Sequence, residues 1–219
     1  MKYGLIGASG KLGKEVINVF ADNNHELVFT FDLTGEWFQS EPEVLIDCSL
    51  PEAFDEVLSL ATKFSSPLVV ATTGLKENNF NKLKELSNKI CVVQSYNFSL
   101  GIQILLQLTK KANELLTDWD VEISETHHRF KKDKPSGTAK MLQEIFKDRN
   151  INTSSFRLGN VPGDHSISFA GMGEVIKLEH RALSRRTFAE GILLSAGFAL
   201  KQEDGFYTFT DVVFNKKTL

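Results

Sequence analysis

The chain has 219 residues, 42% of them hydrophobic and 24% charged, which suits a globular protein with room for one large domain or two small ones. A net charge of -3 and a pI near 6.0 argue against a nucleic-acid or anionic-membrane partner. No apolar run approaches the ~18 residues of a membrane span, and MKYGLIGASG reads as a strand entering a turn, not as a leader peptide. Lys2–Gly7 is then the first strand, and Lys11–Asp22 a helix with Leu12, Val16, Val19 and Phe20 on one face. Glu26–Asp32 and Val44–Cys48 are the second and third strands. Ser49 and Pro51 open a helix that runs to about Phe64. Leu68–Thr72 is the fourth strand, Phe80–Leu86 lies in a helix, and Cys91–Gln94 is the fifth strand. Nearly continuous apolar strands alternating with helices predict a parallel sheet covered on both faces.

The pattern changes after Asn97. Ser99–Leu116 reads as a long helix, Asp120–His127 as an alternating strand, Lys131–Lys134 as a charged loop and Thr138–Lys147 as an amphipathic helix. Ser166–Ala170 and Val175–Ala182 alternate again across Gly171 and Gly173, as a hairpin does. Thr187–Leu200 returns to an apolar helix expected to rejoin the first sheet. The expected fold is α/β: a Rossmann-type parallel sheet domain over 1–97 and 184–219, and an α+β domain with a mixed or antiparallel sheet over 98–183. Cys48 and Cys91 sit inside apolar runs, as buried thiols of a reducing cytoplasm do. The aromatic stretch Phe206–Phe214 is expected to pack on its own domain or on a neighbouring subunit.

Two motifs carry chemistry. Gly7-Ala8-Ser9-Gly10-Lys11-Leu12-Gly13 is a G-x-x-G-x-x-G turn between the first strand and first helix. Glycines there permit a tight turn and close approach of a pyrophosphate to the helix N-terminus. Asp32 ends the second strand 19 residues after Gly13, about where an acid binds the adenine ribose. It serves either that ribose or only a solvated strand end. Asp32 favours NADH by repelling a 2′-phosphate, whereas Lys11 is able to pair with one. Ala71-Thr72-Thr73-Gly74 and Ser95-Tyr96-Asn97-Phe98 follow the fourth and fifth strands, where ligands of open α/β sheets bind. Ordinary turn chemistry accounts for the same residues.

The second motif is Glu125 to Ala139, ETHHRFKKDKPSGTA, with two adjacent histidines, three lysines and a helix start within fifteen residues. His127 and His128 point to opposite faces if the strand continues through them, and histidine suits proton donation near neutrality. Ser136 is a good N-cap, Gly137 leaves the backbone open and Thr138 adds a hydroxyl, together a carboxylate or phosphate site. Lys131, Lys132 and Lys134 read as a solvated charge run unless that helix start gives them an anion. No metal site is expected, since His165 and His180 lie far away in sequence.

This segment resembles the signature of the 4-hydroxy-tetrahydrodipicolinate reductase (dihydrodipicolinate reductase) family, approximately E-x-H-H-x-x-K-x-D-A-P-S-G-T-A. GASGKLG, DCSLPEA, ATTG, YNFSLG and SRRTFAEG resemble further family blocks in the same order, so the likeness spans the chain. It implies a Rossmann domain with a mixed-sheet substrate domain, commonly a homotetramer. The implied activity is reduction of a cyclic dicarboxylate with NADH or NADPH on the diaminopimelate route to lysine. Carried over by position, the proton donor falls on His127 and the catalytic lysine on Lys131. Substrate contacts fall on His128, Ser136, Gly137 and Thr138. Cofactor contacts fall on Gly7, Ala8, Ser9, Gly10, Lys11, Leu12, Asp32, Ala71, Thr72, Thr73, Ser95, Tyr96, Asn97 and Phe98. Lys134 stands where the family has alanine, Ala71 where it has glycine, and Leu33 where a basic residue usually follows the ribose-binding acid. The alternatives are a dehydrogenase of a small amino-dicarboxylate, such as an aspartate dehydrogenase, and a non-catalytic dinucleotide sensor.

Overall fold

The computed structural model describes residues 1–33 and 35–214. In chain order the elements are β1 (Lys2–Ile6), α1 (Lys11–Asp22), β2 (Glu26–Asp32), β3 (Gly35–Phe38), β4 (Val44–Asp47), α2 (Phe54–Phe64), β5 (Leu68–Val70), α3 (Glu77–Leu86) and β6 (Cys91–Gln94). There follow α4 (Leu100–Leu115), β7 (Asp120–His127), α5 (Gly137–Gln143), β8 (Asn152–Arg157), β9 (Asp164–Ala170), β10 (Val175–Arg181), α6 (Arg186–Ala199), β11 (Gly205–Thr208) and α7 (Phe209–Phe214). The chain divides into two compact units, one of Met1–Phe98 with the chain from Arg185 onward, the other of Ser99–Ser184.

The first unit is built on a seven-stranded sheet in the order β11-β6-β5-β4-β1-β2-β3. All pairings are parallel except that of β3 with β2. Strand order reverses at β1, with β2 on one side and β4 on the other, and such a switch point opens a crevice beyond the carboxyl ends of the strands. One face of the sheet packs Val16, Val19 and Phe20 of α1 and Ala189, Ile192 and Ala196 of α6 against Tyr3, Leu5, Val69 and Val93. The other buries Phe54, Val57 and Leu60 of α2 and Leu83 of α3 against Ile6, Leu45 and Val92. Fully burying one such side chain is worth roughly 1.5–3 kcal/mol over leaving it exposed. The expected helix after Ser49 starts as a 3-10 turn, Pro51–Ala53, before becoming α2.

The second unit has a four-stranded sheet, β10-β9-β7-β8. β8 runs parallel to β7 and returns through α5, while β9 and β10 are antiparallel to their neighbours. The sheet is therefore mixed. Ser99 caps α4 by accepting the Ile102 amide at 3.4 Å. Ile102, Leu105 and Leu106 of α4 and Leu142 of α5 pack on Val121, Ile123, Ile167 and Phe169. The expected helix Thr138–Lys147 is instead α5 followed by a 3-10 turn, Glu144–Phe146, which tucks Phe146 into this core.

Candidate active site

In the first unit, the glycine turn follows the edge of the switch point. Gly7 has φ +84°, and a Cβ on it would lie 2.6 Å from the Cys48 carbonyl oxygen at the end of β4. A Cβ on Gly13 would lie 2.2 Å from the Gly7 oxygen, so α1 starts closer to the turn than any side chain allows. Gly10 is the N-cap of α1 and carries no capping side chain, which leaves the first amides of the helix available to an anion. Asp32 lies alongside: its carboxylate accepts the Ser9 amide at 3.0 Å. The two halves of the expected ribose-pyrophosphate motif are thus adjacent. An uncapped helix start beside a strand-end acid fits a dinucleotide.

Ala71, Thr72 and Thr73 follow β5, and Ser95 to Phe98 follow β6, the next strands across the sheet. The Thr72 side chain is buried 3.5 Å from the Ser49 hydroxyl, which donates to the buried Asp47 carboxylate. Burial pushes the Asp47 carboxyl up, against hydrogen bonds from Ser49 and Thr72 that lower it. The Phe98 ring packs into the core 5.2 Å from Phe209, so only its backbone can serve a ligand. Ser95 folds its own loop, its hydroxyl donating to the Asn97 carbonyl at 2.9 Å. Cys48 and Cys91 are unpaired thiols; burial, with Asp47 nearby, raises the first, and burial with Asp204 nearby pushes the second up to about 12.

In the second unit, strand alternation continues the core into a polar cluster. Val121, Ile123, Glu125 and His127 share the inward face of β7. Glu125 is buried, and its carboxylate bonds His127 Nδ1. Arg157, opposite His127 in the β7–β8 register, binds the same carboxylate as a fork, Nη1 to Oε2 and Nη2 to Oε1, each at 2.9 Å. Burial acts to raise the Glu125 carboxyl, but hydrogen bonds from His127, Arg157 and Ser155 outweigh it and hold the group well below the usual carboxylate range. The Ser136 amide also donates to Glu125 Oε1, at 3.3 Å.

Ser136 caps α5, its hydroxyl accepting the Ala139 amide at 3.2 Å, and its Oγ lies 3.3 Å from His165 Nε2. The ring of His165 stands edge-on to His127 with centroids 5.1 Å apart. Burial, with the positive charge that His127 can carry, lowers His165 to about 3, so it is neutral near neutrality. Thr138 is buried and Gly137 half-buried in the first turn of α5. β7 ends at His127, and His128 is half-buried with its ring 6.4 Å from Phe130. Lys131 is held by Asp133 at 2.7 Å, whereas Lys132 and Lys134 are exposed.

Three members of this cluster were not anticipated. Glu125 stands two residues before His127 on an alternating strand, a spacing that places both on one face and was legible. Arg157 belongs to β8, whose sequence NTSSFR has no apolar alternation to announce a strand. His165 is distant in sequence from the histidine pair, yet β9 pairing sets it directly opposite Glu125. Among the described residues, no group of three His, Cys, Asp or Glu is placed to hold a metal ion.

A Rossmann-type unit with an open glycine turn, joined to a mixed-sheet unit with a buried carboxylate-histidine pair, defines the class of two-unit dinucleotide-dependent oxidoreductases. Within that class, the chain belongs to the dihydrodipicolinate reductase family: residues 1–98 match its N-terminal region and residues 101–213 its C-terminal region. The 4-hydroxy-tetrahydrodipicolinate reductase of Thermosipho africanus is 46% identical over 213 residues, covering 97% of this chain and 98% of that protein. The enzyme of the same name from Rickettsia rickettsii is 35% identical, with 97% and 98% covered. A dipicolinate-bound dihydrodipicolinate reductase from Paenisporosarcina sp. TG-14 shares the fold, with a TM-score of 0.76 at 22% identity over 95% of this chain and 97% of that one. An aspartate dehydrogenase from Thermotoga maritima shares it more loosely, at 0.55 and 14% identity over 93% and 97%.

Proposed function

We propose that this chain reduces 4-hydroxy-tetrahydrodipicolinate to tetrahydrodipicolinate, with loss of water, in lysine biosynthesis through diaminopimelate. Family membership over nearly the whole chain carries the reaction class. The observation that carries the chemistry is His127 bonded to a buried carboxylate that also binds the amide of Ser136, the start of α5. NADH or NADPH, when bound, supplies the hydride. Gly7 to Leu12 hold its pyrophosphate, Asp32 its ribose, and Ala71 to Thr73 with Ser95 to Phe98 line the nicotinamide end.

The reaction adds one hydride and one proton to the ring and releases one water, so the protein must furnish a proton donor. His127 is that donor. Lys131 offsets negative charge that develops as the hydride arrives, while Asp133 keeps its ammonium in place. Ser136, Gly137 and Thr138 hold a substrate carboxylate at the start of α5, and His128 assists. Lys132 and Lys134 are exposed and act at most by attracting a dianion.

The enzyme acts in the cytoplasm as a homotetramer. In the second unit, α4 and α5 lie against one face of the sheet. The other face presents Glu122, Ser124, Ser154, Ser166 and Ser168, together with Phe156, which is 49% exposed. A sheet with one face uncovered by its own helices, among the described residues, suits burial against another subunit.

The test is absorbance at the reduced-nicotinamide band, with the full chain, 4-hydroxy-tetrahydrodipicolinate and either NADH or NADPH. Oxidation is expected, and the ratio of the two rates reads the choice between Asp32 and Lys11. His127→Ala should lower kcat by ~10²–10⁴ and leave the Kd for NADH unchanged. No oxidation of either cofactor would overturn the proposal. Oxidation only with oxaloacetate and ammonia would replace it with an amino-dicarboxylate dehydrogenase.

A further inference from the structure

We infer that Glu125 is the positioning residue of the proton donor: its buried carboxylate holds the His127 ring with hydrogen on Nδ1, so that Nε2 carries and delivers the exchangeable proton. This deepens the reductase reading and rests on it for the identity of the reaction, though the ring assignment itself stands on geometry.

An ionised carboxylate is an acceptor only. The nitrogen facing it, Nδ1, is therefore the protonated one in the neutral ring, and Nε2 is left to gain or lose the second proton. The carboxylate cannot turn away. Arg157 holds both oxygens at 2.9 Å, and the Arg157 guanidinium is fixed in turn by the carbonyls of Lys131, at 3.3 Å, and of Asp133 and Phe156. Bidentate pairing of this kind fixes the carboxylate plane as well as its position.

Gly163 packs against the Nε2 edge: a Cβ built on it would lie 3.0 Å from Nε2, so a side chain there would crowd the ring. The charged and titratable groups around the ring are then accounted for. Glu125 lies on the same strand, Arg157 on β8, His165 and Asp164 on β9, His180 on β10, and the Lys131–Asp133 pair in the loop. Asp164 is turned to Arg181 at 3.1 Å, and His180 Nε2 to Ser99 Oγ at 3.1 Å. His165 contacts His127 only through its ring edge and binds Ser136 Oγ with Nε2. Glu125 is thus the one anion bonded to the imidazole among the described residues.

The arrangement has a second consequence. The carboxylate that orients the donor also accepts the Ser136 amide. Donor and carboxylate-binding helix start are therefore referenced to a single rigid group, which is what holding a reacting atom to within a fraction of an ångström requires.

The experiment is histidine 15N NMR on the full chain, with wild type, Glu125→Gln and Glu125→Asp, alongside steady-state kinetics. In wild type the neutral His127 ring should show its proton on Nδ1. A neutral amide no longer presents an acceptor alone to Nδ1, so Glu125→Gln should lower kcat by about 10- to 10³-fold. In its 15N spectrum the preference of the ring for hydrogen on Nδ1 should weaken, because an amide donates as well as accepts. The Kd for NADH should not move, and Glu125→Asp should recover part of the loss. A purely structural role would lower the amount of folded enzyme without changing which ring nitrogen carries the proton. Neutral wild-type His127 protonated on Nε2, or a Glu125→Gln enzyme whose kcat and ring tautomer match wild type, overturns the inference. If Glu125→Gln does not fold, the wild-type spectrum decides alone. If wild type turns over no 4-hydroxy-tetrahydrodipicolinate, the reductase reading fails while the spectrum still tests the Glu125–His127 bond.

Discussion

Arg157→Met is the sharpest perturbation of this fold. The Glu125 side chain is 0% exposed and Arg157 14% exposed, with two 2.9 Å charge-assisted hydrogen bonds between them. Methionine fills most of the volume but leaves the Glu125 carboxylate buried without its main counter-charge. Removing one partner of a buried pair typically costs ~3–5 kcal/mol. The hydrogen bonds from His127 and the Ser136 amide remain, so the low end, about 3 kcal/mol, is expected. The carbonyls of Lys131, Asp133 and Phe156 lose their donor as well, but water can replace it near the surface. The protein carries a convenient probe. Its two tryptophans fall one in each unit, Trp37 in the first and Trp119 in the second. In a Trp37→Phe background, fluorescence follows Trp119 alone and avoids assuming that both units unfold together. With a urea m-value of ~1–3 kcal/mol/M, the midpoint should fall by roughly 1–3 M. Adding Glu125→Gln to Arg157→Met should restore part of that loss, because no bare charge stays buried. A cost below about 1 kcal/mol, or a double variant no more stable than Arg157→Met alone, would refute the charge-pair reasoning.

The other predictions concern the turn and the buried histidine. Gly13→Ala places a methyl 2.2 Å from the Gly7 backbone oxygen, which no side-chain rotation relieves. A loss of ~1–3 kcal/mol in chemical denaturation and weaker NADH binding by calorimetry are expected. His165 has a folded value of about 3 against an ordinary 6.5, so the unfolded chain takes up this proton first. Its contribution to stability is complete above pH 6.5 and declines as pH falls toward about 3. One proton gives a slope of up to ~1.4 kcal/mol per pH unit. His165→Gln should flatten the slope measured by urea titrations between pH 6 and 4.5. The separate loss from Glu125, whose folded value is depressed, starts only below the ordinary carboxylate value and should persist in that variant.

Where periodicity was strong, elements were legible to the residue. Lys11–Asp22, Glu26–Asp32, Cys91–Gln94 and Asp120–His127 form as their patterns predict, because burying one face, or both, dictates which residues are apolar. The strands that escaped notice are β3, β8 and β11. All three are edge strands paired on one side only, β3 exposed throughout, β11 partly buried and β8 largely polar, so none carries the continuous apolar run of an interior strand. The amphipathic pattern after Thr138 runs on to Lys147, but local pattern does not show where the backbone tightens into a 3-10 turn to seat Phe146.

The amino-acid sequence by itself determined the glycine turn with its strand-end acid, the His-His-Lys segment and the capped start of α5. These are local devices, each set by a few neighbouring residues and their backbone geometry. Only the tertiary structure decided which groups surround the proton donor. Arg157 and His165 reach Glu125 and His127 through strand pairing across β8 and β9. The stability of a buried carboxylate depends on such partners arriving from elsewhere in the chain. A cluster of charges beside a helix start was visible in one dimension. The clamp that fixes its ring nitrogen, and hence the atom that hands over the proton, exists only where three strands lie side by side.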